Sequence, residues 1–347
     1  MIPVSVITGF LGSGKTTLLG RLLRDPSMSR TAVIINEFGS IALDHDLIET
    51  SDESFVRLSN GCLCCNIRSD LTVTLTDLAA RRAAGTVPPF ERVLIETSGL
   101  ADPAPILHAL MTDHDLCDVY TLDGVVTTVD ALTGLATLEG HEQSRRQAAV
   151  ADRIVITKTD VPESQSAELM ARLSKMNPGA TLMEVISGAI DPNALFGAAL
   201  HGVGSKEADV REWLARETQN AIDPENVQHR HEADITSFSM LRDEPVHAVT
   251  LALFLSALAE NCGPDLLRMK GIVRISEEPE RPAVIHGMQH VYHAPVWLER
   301  WPSEDRRTRM VFIGRHVPER WIRNLLDLLD SEVTDEINRS RQRHRSS

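Results

Sequence analysis

The stretch Gly9-Phe10-Leu11-Gly12-Ser13-Gly14-Lys15-Thr16 carries the fold assignment. It fits the pattern G-x-x-x-x-G-K-[ST], the phosphate-binding P-loop. Glycines let the backbone turn tightly enough for successive N–H groups to converge on phosphate oxygens. Lys15 adds a point charge for the β and γ phosphates, and the Thr16 hydroxyl is placed for Mg²⁺. The flanks agree. Val4-Ser5-Val6-Ile7-Thr8 reads as a buried strand. Residues 17–24 read as the helix whose N-terminus faces the phosphates. The candidate phosphate-binding set is Gly9, Gly12, Ser13, Gly14, Lys15, Thr16 and Thr17.

Beyond this loop, apolar runs predict strands at 31–35, 92–96, 123–129, 153–157 and 181–186. Helical patterns at 68–83, 103–111, 141–151 and 163–175 separate most of them. Such alternation means βαβ units and a mainly parallel sheet, an α/β P-loop NTPase architecture. Ligands in these sheets bind at the carboxyl ends of the strands. Residues 200–232 lose the pattern and read as a connection, with one helix near 210–218 and a short His229-Arg230-His231. After it, strands at 235–238, 267–275, 284–293 and 309–313, with helices at 249–260 and 318–329, predict a smaller α+β domain. The expected layout is a nucleotide-binding domain over 1–200, a linker over 201–232, a C-terminal domain over 233–335 and a tail over 336–347. The four arginines of that tail read as a frayed, solvated and disordered terminus.

Bulk properties narrow the function. A net charge of −14 argues against a sequence-independent nucleic-acid partner. No apolar run approaches the roughly 18 residues of a membrane span, and the start lacks the basic n-region of a signal peptide. The five cysteines include Cys62, Cys64 and Cys65, crowded together; an odd count clustered this way is no disulfide framework and fits a reducing cytoplasm.

Four further motifs carry chemistry. Ile95-Glu96-Thr97-Ser98-Gly99 closes an apolar strand with a carboxylate that could orient Mg²⁺, then a glycine that lets the loop approach a γ-phosphate. Thr157-Lys158-Thr159-Asp160 follows another strand. Asp160 there can accept from the N1–H and exocyclic amine of guanine, while the Lys158 stem lies over the base. That points to GTP over ATP, with Ser187 a candidate for backbone contact to the base. Gly61-Cys62-Leu63-Cys64-Cys65-Asn66 groups three thiols that can grip one transition-metal ion, an incomplete shell suited to release. Asn36-Glu37-Phe38-Gly39 ends the second strand, where switch segments sense the γ-phosphate. Glu37 can orient water, touch the Mg²⁺ shell or complete the cysteine site, and the residues do not choose. His286, His290 and His293 fall in one predicted strand, the first two on one face; ordinary sheet histidines are expected there rather than a metal site.

Together these stretches resemble the CobW family of GTPases, in the SIMIBI class of P-loop proteins. The matching pieces are GFLGSGKTT at 9–17, NEFG at 36–39, GCLCC at 61–65, ETSGLADP at 96–103 and TKTD at 157–160. The second domain resembles the CobW C-terminal domain through LLRMKGIVRI at 266–275, IHGMQHVYH at 285–293 and VFIGR at 311–315. The resemblance implies a GTP-hydrolysing metallochaperone of slow intrinsic turnover that delivers zinc or cobalt to a metal-requiring client protein. It would use GTP, Mg²⁺ and Zn²⁺ or Co²⁺, with Lys15, Glu37 and Glu96 as catalytic candidates, Thr16 and Glu96 on Mg²⁺, Asp160 on guanine, and Cys62, Cys64 and Cys65 on the cargo ion. Two positions depart from the family pattern. Thr157 stands where the usual guanine motif has Asn, losing an amide contact, and Ser40 stands where many relatives carry Glu. A P-loop kinase and a nucleotide-dependent metal sensor without a delivery role are the alternatives, and a homodimer is left open.

Overall fold

Parallel strands covered on both faces read as unbroken apolar runs, and the first half of the chain is built from them. The structure, a computed structural model, describes residues 1–35, 55–57, 67–162, 164–186, 188–196 and 235–345. Two compact units divide the chain, Met1–Asp209 and Val210–Ser347.

The first unit holds strands β1 (Ile2–Gly9), β2 (Thr31–Ile35), β3 (Phe55–Arg57), β4 (Arg92–Glu96), β5 (Tyr120–Asp130), β6 (Arg153–Thr157) and β7 (Thr181–Glu184). They form one sheet in the order β3-β2-β4-β1-β5-β6-β7, with every pairing parallel. Helices α1 (Lys15–Leu22), α2 (Ile67–Ala83), α3 (Ala104–Thr112), α4 (His114–Cys117), α5 (Gly134–Gly140), α6 (Glu142–Ala149), α7 (Ser166–Met176) and α8 (Pro192–Leu195) connect the strands. On one face, Ile7, Val33, Leu94, Val126 and Val155 pack with Leu18, Leu19 and Leu22 of α1 and with Leu195 and Phe196. Because the strands are parallel, their carboxyl ends share one edge. There Ile7 is level with Glu96, Gly9 with Thr128, and Asp130 with Thr157.

Strand β3 escaped the sequence reading because three residues at a sheet edge carry no readable period. The predicted strand 181–186 stops at Glu184, and α1 begins at Lys15, two residues before the predicted helix.

The second unit is an antiparallel sheet: β8 (Ile235–Arg242), β9 (Leu266–Val273), β10 (Ala283–Met288), β11 (Val291–Tyr292), β12 (Val296–Trp297) and β13 (Thr308–Arg315). The order is β11-β10-β9-β13-β8, with β12 also on β10. Its apolar face packs Met240, Met269, Met310 and Phe312 against Phe254 and Leu258 of α9 (Ala248–Cys262) and Ile322 and Leu326 of α10 (Glu319–Arg345). Phe312 stacks on Phe238 with centroids 4.8 Å apart and meets Phe254 edge-on at 6.5 Å.

Two expectations are corrected in this unit. The single strand predicted over 284–293 is a hairpin: Gln289, with φ at 53°, turns β10 back into β11. The basic tail is helical rather than frayed through Arg345. Once Ile322, Leu326 and the Arg242–Asp330 ion pair (2.7 Å) anchor its first turns, propagation costs little for residues such as Glu336 and Arg339, which pair at 3.2 Å.

Candidate nucleotide site at the carboxyl edge of the sheet

The P-loop leaves β1 and turns straight into α1. Gly12 and Gly14 have φ of 73° and 90°, the left-handed region where a side chain is strained. Gly14 is the N-cap of α1 and, among the described residues, no side chain caps that end. Its first N–H groups are therefore directed at whatever anion lies there. Lys15 is buried, its Nζ donating to the carbonyls of Gly9 (2.9 Å) and Phe10 (3.2 Å). Thr17 is exposed on the same turn.

Neighbouring strand ends brace the loop. The Ser13 hydroxyl shares a 2.7 Å hydrogen bond with that of Thr128 at the end of β5. Thr157 Oγ1, at the end of β6, donates to the Ser13 carbonyl at 2.8 Å. The Thr157 hydroxyl thus ties the strand before Asp160 to the phosphate loop, while the amide of the usual Asn has no counterpart in a threonine side chain.

Glu96 ends β4 almost completely buried, at 2% exposure, and its Oε1 accepts from Thr16 Oγ1 at 2.8 Å. A hydroxyl and a carboxylate so placed, beside a P-loop lysine, match the oxygen donors that Mg²⁺ prefers. After Glu96, Thr97 donates from its N–H to Ile7 O (2.9 Å) and from its hydroxyl to Thr8 Oγ1 (2.8 Å). Gly99 then rests on the P-loop: a Cβ added to it would lie 2.7–2.9 Å from Leu11 atoms, two of them backbone.

After β6, Lys158 adopts φ of 58° and pairs with Asp130 Oδ2 at 2.5 Å. Asp130 also accepts from Leu132 N at 2.7 Å. Asp160 is exposed in the following turn. Gly188 brings the segment after β7 against α1, where an added Cβ would sit 3.4 Å from Thr17 O.

The structure thus brings together Gly9, Gly12, Ser13, Gly14, Lys15, Thr16, Glu96 and Gly99, with Lys158 and Asp160 on the same strand edge. Glu37, Ser187, Cys62, Cys64 and Cys65 lie outside the described residues, as do Asn36, Phe38, Gly39, Ser40, His229 and His231. Among the described residues no group of three or more His, Cys, Asp or Glu side chains could hold a metal ion. The two described cysteines differ from metal-ready thiolates. Burial, with Asp113 and Asp118, pushes the Cys117 thiol up, and burial with Asp265 does the same to Cys262. The histidine arrangement is also corrected. In the hairpin, His286 and His293 face each other edge-on with centroids 6.0 Å apart, while His290 turns to Ala259 O at 3.2 Å.

Several residues that shape this edge gave no sequence signal. Thr128 reads as a strand threonine until the fold sets it beside Ser13. His141 reads as a polar position at the start of the predicted helix until its ring stacks on Phe10 of the P-loop with centroids 4.5 Å apart. Arg146 and Gln147 read as the polar side of α6. Arg146 instead pairs with Asp102 at 2.7 Å, and Gln147 is fully buried.

Comparison with known proteins agrees with this geometry. Residues 3–184 match the family described as CobW/HypB/UreG, nucleotide-binding domain, and residues 235–329 match the cobalamin synthesis protein cobW C-terminal domain. The chain is 35% identical to the zinc chaperone YjiA of Escherichia coli over 326 residues, covering 93% of this chain and 96% of that one. It is 29% identical to the zinc chaperone CobW of Pseudomonas aeruginosa, covering 94% and 90%. It is 28% identical to the zinc-regulated GTPase metalloprotein activator 1 of Dictyostelium discoideum, covering 90% and 76%. The crystal structure of Zn(II)-bound YjiA GTPase superposes with a TM-score of 0.69 at 29% identity, covering 94% of this chain and 98% of that one. Motifs, sheet order and end-to-end similarity converge: the chain belongs to the CobW/HypB/UreG family of P-loop GTPases, in the branch that carries a cobW C-terminal domain.

Proposed function

We propose that this protein is a GTP-hydrolysing metallochaperone that carries zinc or cobalt on Cys62, Cys64 and Cys65 and passes it to a metal-requiring client protein. The observation that carries the nucleotide half is the Thr16–Glu96 contact of 2.8 Å at the foot of a P-loop. The relatives named zinc chaperones, aligned over more than nine-tenths of this chain, support zinc as the cargo.

In this reading the amides of residues 12–17 and Lys15 hold the phosphates, and Thr16 and Glu96 hold Mg²⁺. The ion, when bound, spreads the charge that develops on the phosphoryl oxygens. Gly99 approaches the γ-phosphate with its backbone. Asp160 accepts from the guanine edge, and the Lys158 stem covers the ring while Asp130 fixes its ammonium. Glu37 orients water, joins the Mg²⁺ shell or completes the cysteine site. Turnover is slow alone, because the sequence of the switch segment after β2 offers no evident arginine finger and a partner would supply the missing cation.

Coupling to the cargo rests on topology. Strand β3 runs parallel to β2, so Arg57 ends at the same edge as the P-loop, and α2 begins at Ile67. The cysteines fall between those two residues in sequence. A coupling of about 1–3 kcal/mol between nucleotide and cargo would change metal affinity about 5- to 150-fold, and by linkage GTP affinity equally. The test is GTP affinity measured with and without Zn²⁺ or Co²⁺, beside metal content of wild type and Cys64→Ser purified with GTP and with GDP. Equal GTP affinities and equal metal contents would refute it.

A further inference from the structure

Gln147 sits in α6 with no exposed surface. Its side-chain amide donates to two carbonyls of the loop after β4, Ala101 O at 3.0 Å and Gly99 O at 3.2 Å. Its own backbone carbonyl accepts from Thr127 Oγ1 of β5 at 2.7 Å. One residue therefore joins the sheet to the loop, by its main chain on one side and its side chain on the other.

The remaining polar atom of that side chain, Oε1, is buried with no donor among the described residues. An apolar residue of the same shape would avoid that uncompensated acceptor. Packing alone does not favour glutamine here; the two-carbonyl grip does. The gripped segment has Gly99 pressed against Leu11 of the P-loop on its other side. The next residue of α6 toward its start, Arg146, holds Asp102 at 2.7 Å. His141, the N-cap of α6, stacks on Phe10. A single helix thus sets the phosphate loop and the post-β4 loop against each other, and Gln147 is its buried contact.

We infer that Gln147 is a positioning residue for GTP hydrolysis: by holding the carbonyls of Gly99 and Ala101 it fixes the spacing between the Gly99 segment and the P-loop. It acts through the loop backbone and touches no substrate. The inference rests on the GTPase reading above. Base and β-phosphate contacts come from other elements, so loss of the grip should affect turnover and leave GDP binding intact.

The decisive variants are Gln147→Met, which keeps the shape and removes both the donor and the orphan acceptor, and Gln147→Glu, which sets a carboxylate against two carbonyls. Single-turnover GTP hydrolysis, GDP affinity, melting temperature and amide hydrogen exchange over residues 99–102 are measured on each. The expected result for Gln147→Met is a hydrolysis rate at least tenfold lower, GDP affinity within twofold of wild type, an undiminished melting temperature and faster exchange over 99–102. Gln147→Glu should be slower still. Hydrolysis within twofold of wild type in Gln147→Met would overturn the inference, as would GDP and GTP affinities falling in parallel with no change in rate. A wild type no faster than Lys15→Ala would sink the GTPase reading and this role with it. Exchange over 99–102 separates the two failures, because it reports the grip whether or not GTP is turned over.

Discussion

Replacing Gly99 by alanine tests the site most directly. A Cβ on residue 99 would lie 2.7 Å from Leu11 Cδ2, 2.8 Å from Leu11 N and 2.9 Å from Leu11 Cα. The side-chain atom can rotate away; the two backbone atoms belong to the P-loop and cannot. Ordinary carbon contacts begin near about 3.5 Å, so the two loops must separate by about 0.6 Å. A misplacement of about 1 Å can cost about 10²-fold in rate, so this opening should lower kcat on the order of tenfold, or about 1.4 kcal/mol of barrier. Overpacking adds a stability loss of about 1–3 kcal/mol. Residues 157–160 are untouched, so GDP affinity should stay close to wild type while the single-turnover rate of GTP hydrolysis falls. Stopped-flow phosphate release, with fluorescent GDP titration on the same samples, reads both. Wild-type turnover in the Gly99→Ala variant would show that the contact between the loop after β4 and the P-loop does not set the reacting geometry.

Thr157→Val keeps the shape of Thr157 but leaves the buried Ser13 carbonyl without its 2.8 Å donor; a loss of about 1–3 kcal/mol should lower the melting temperature by several degrees, and an unchanged melt would deny the brace its role. Asp160→Ala should cut the preference for GTP over ATP at least about tenfold in a competition assay, because the acceptor that reads the guanine N–H groups is gone; a preference kept intact would place base recognition elsewhere. The Arg307 side chain bonded to Asp305, with help from the Arg307 N–H and the Arg309 charge, holds the Asp305 carboxyl below the usual carboxylate range against the opposing effect of burial. A depressed carboxylate contributes its full stability above about pH 4 and loses it as pH falls through the lower folded value. Asp305→Asn should therefore melt less steeply with falling pH in that acid range, by a modest amount because the pair is partly exposed; melting curves that fall in parallel would refute it.

The order of residues along the chain was enough for the parts whose chemistry is local. The P-loop, the strand-ending Glu96 and the Thr157–Asp160 turn are each contiguous, and each needs its residues at fixed short spacing, so adjacency along the chain already states the geometry. Strands β2, β4 and β6 were legible to the residue because buried parallel strands are short, uninterrupted apolar runs. How these pieces brace one another emerged with the folded arrangement alone. The Ser13–Thr128 and Ser13–Thr157 contacts span 115 and 144 residues of chain, and nothing in a threonine's neighbours says which loop its hydroxyl will meet. Gln147 and His141 look like a helix's polar positions until α6 lies along the sheet and turns them to the loops of the nucleotide edge. The histidine hairpin makes the same point in reverse: strict alternation put His286 and His290 on one face, and one left-handed residue, Gln289, reassigned His293 to face His286. Periodicity reports which side of an element is buried, whereas the partner it meets is fixed by strand order and by single backbone turns that composition does not encode.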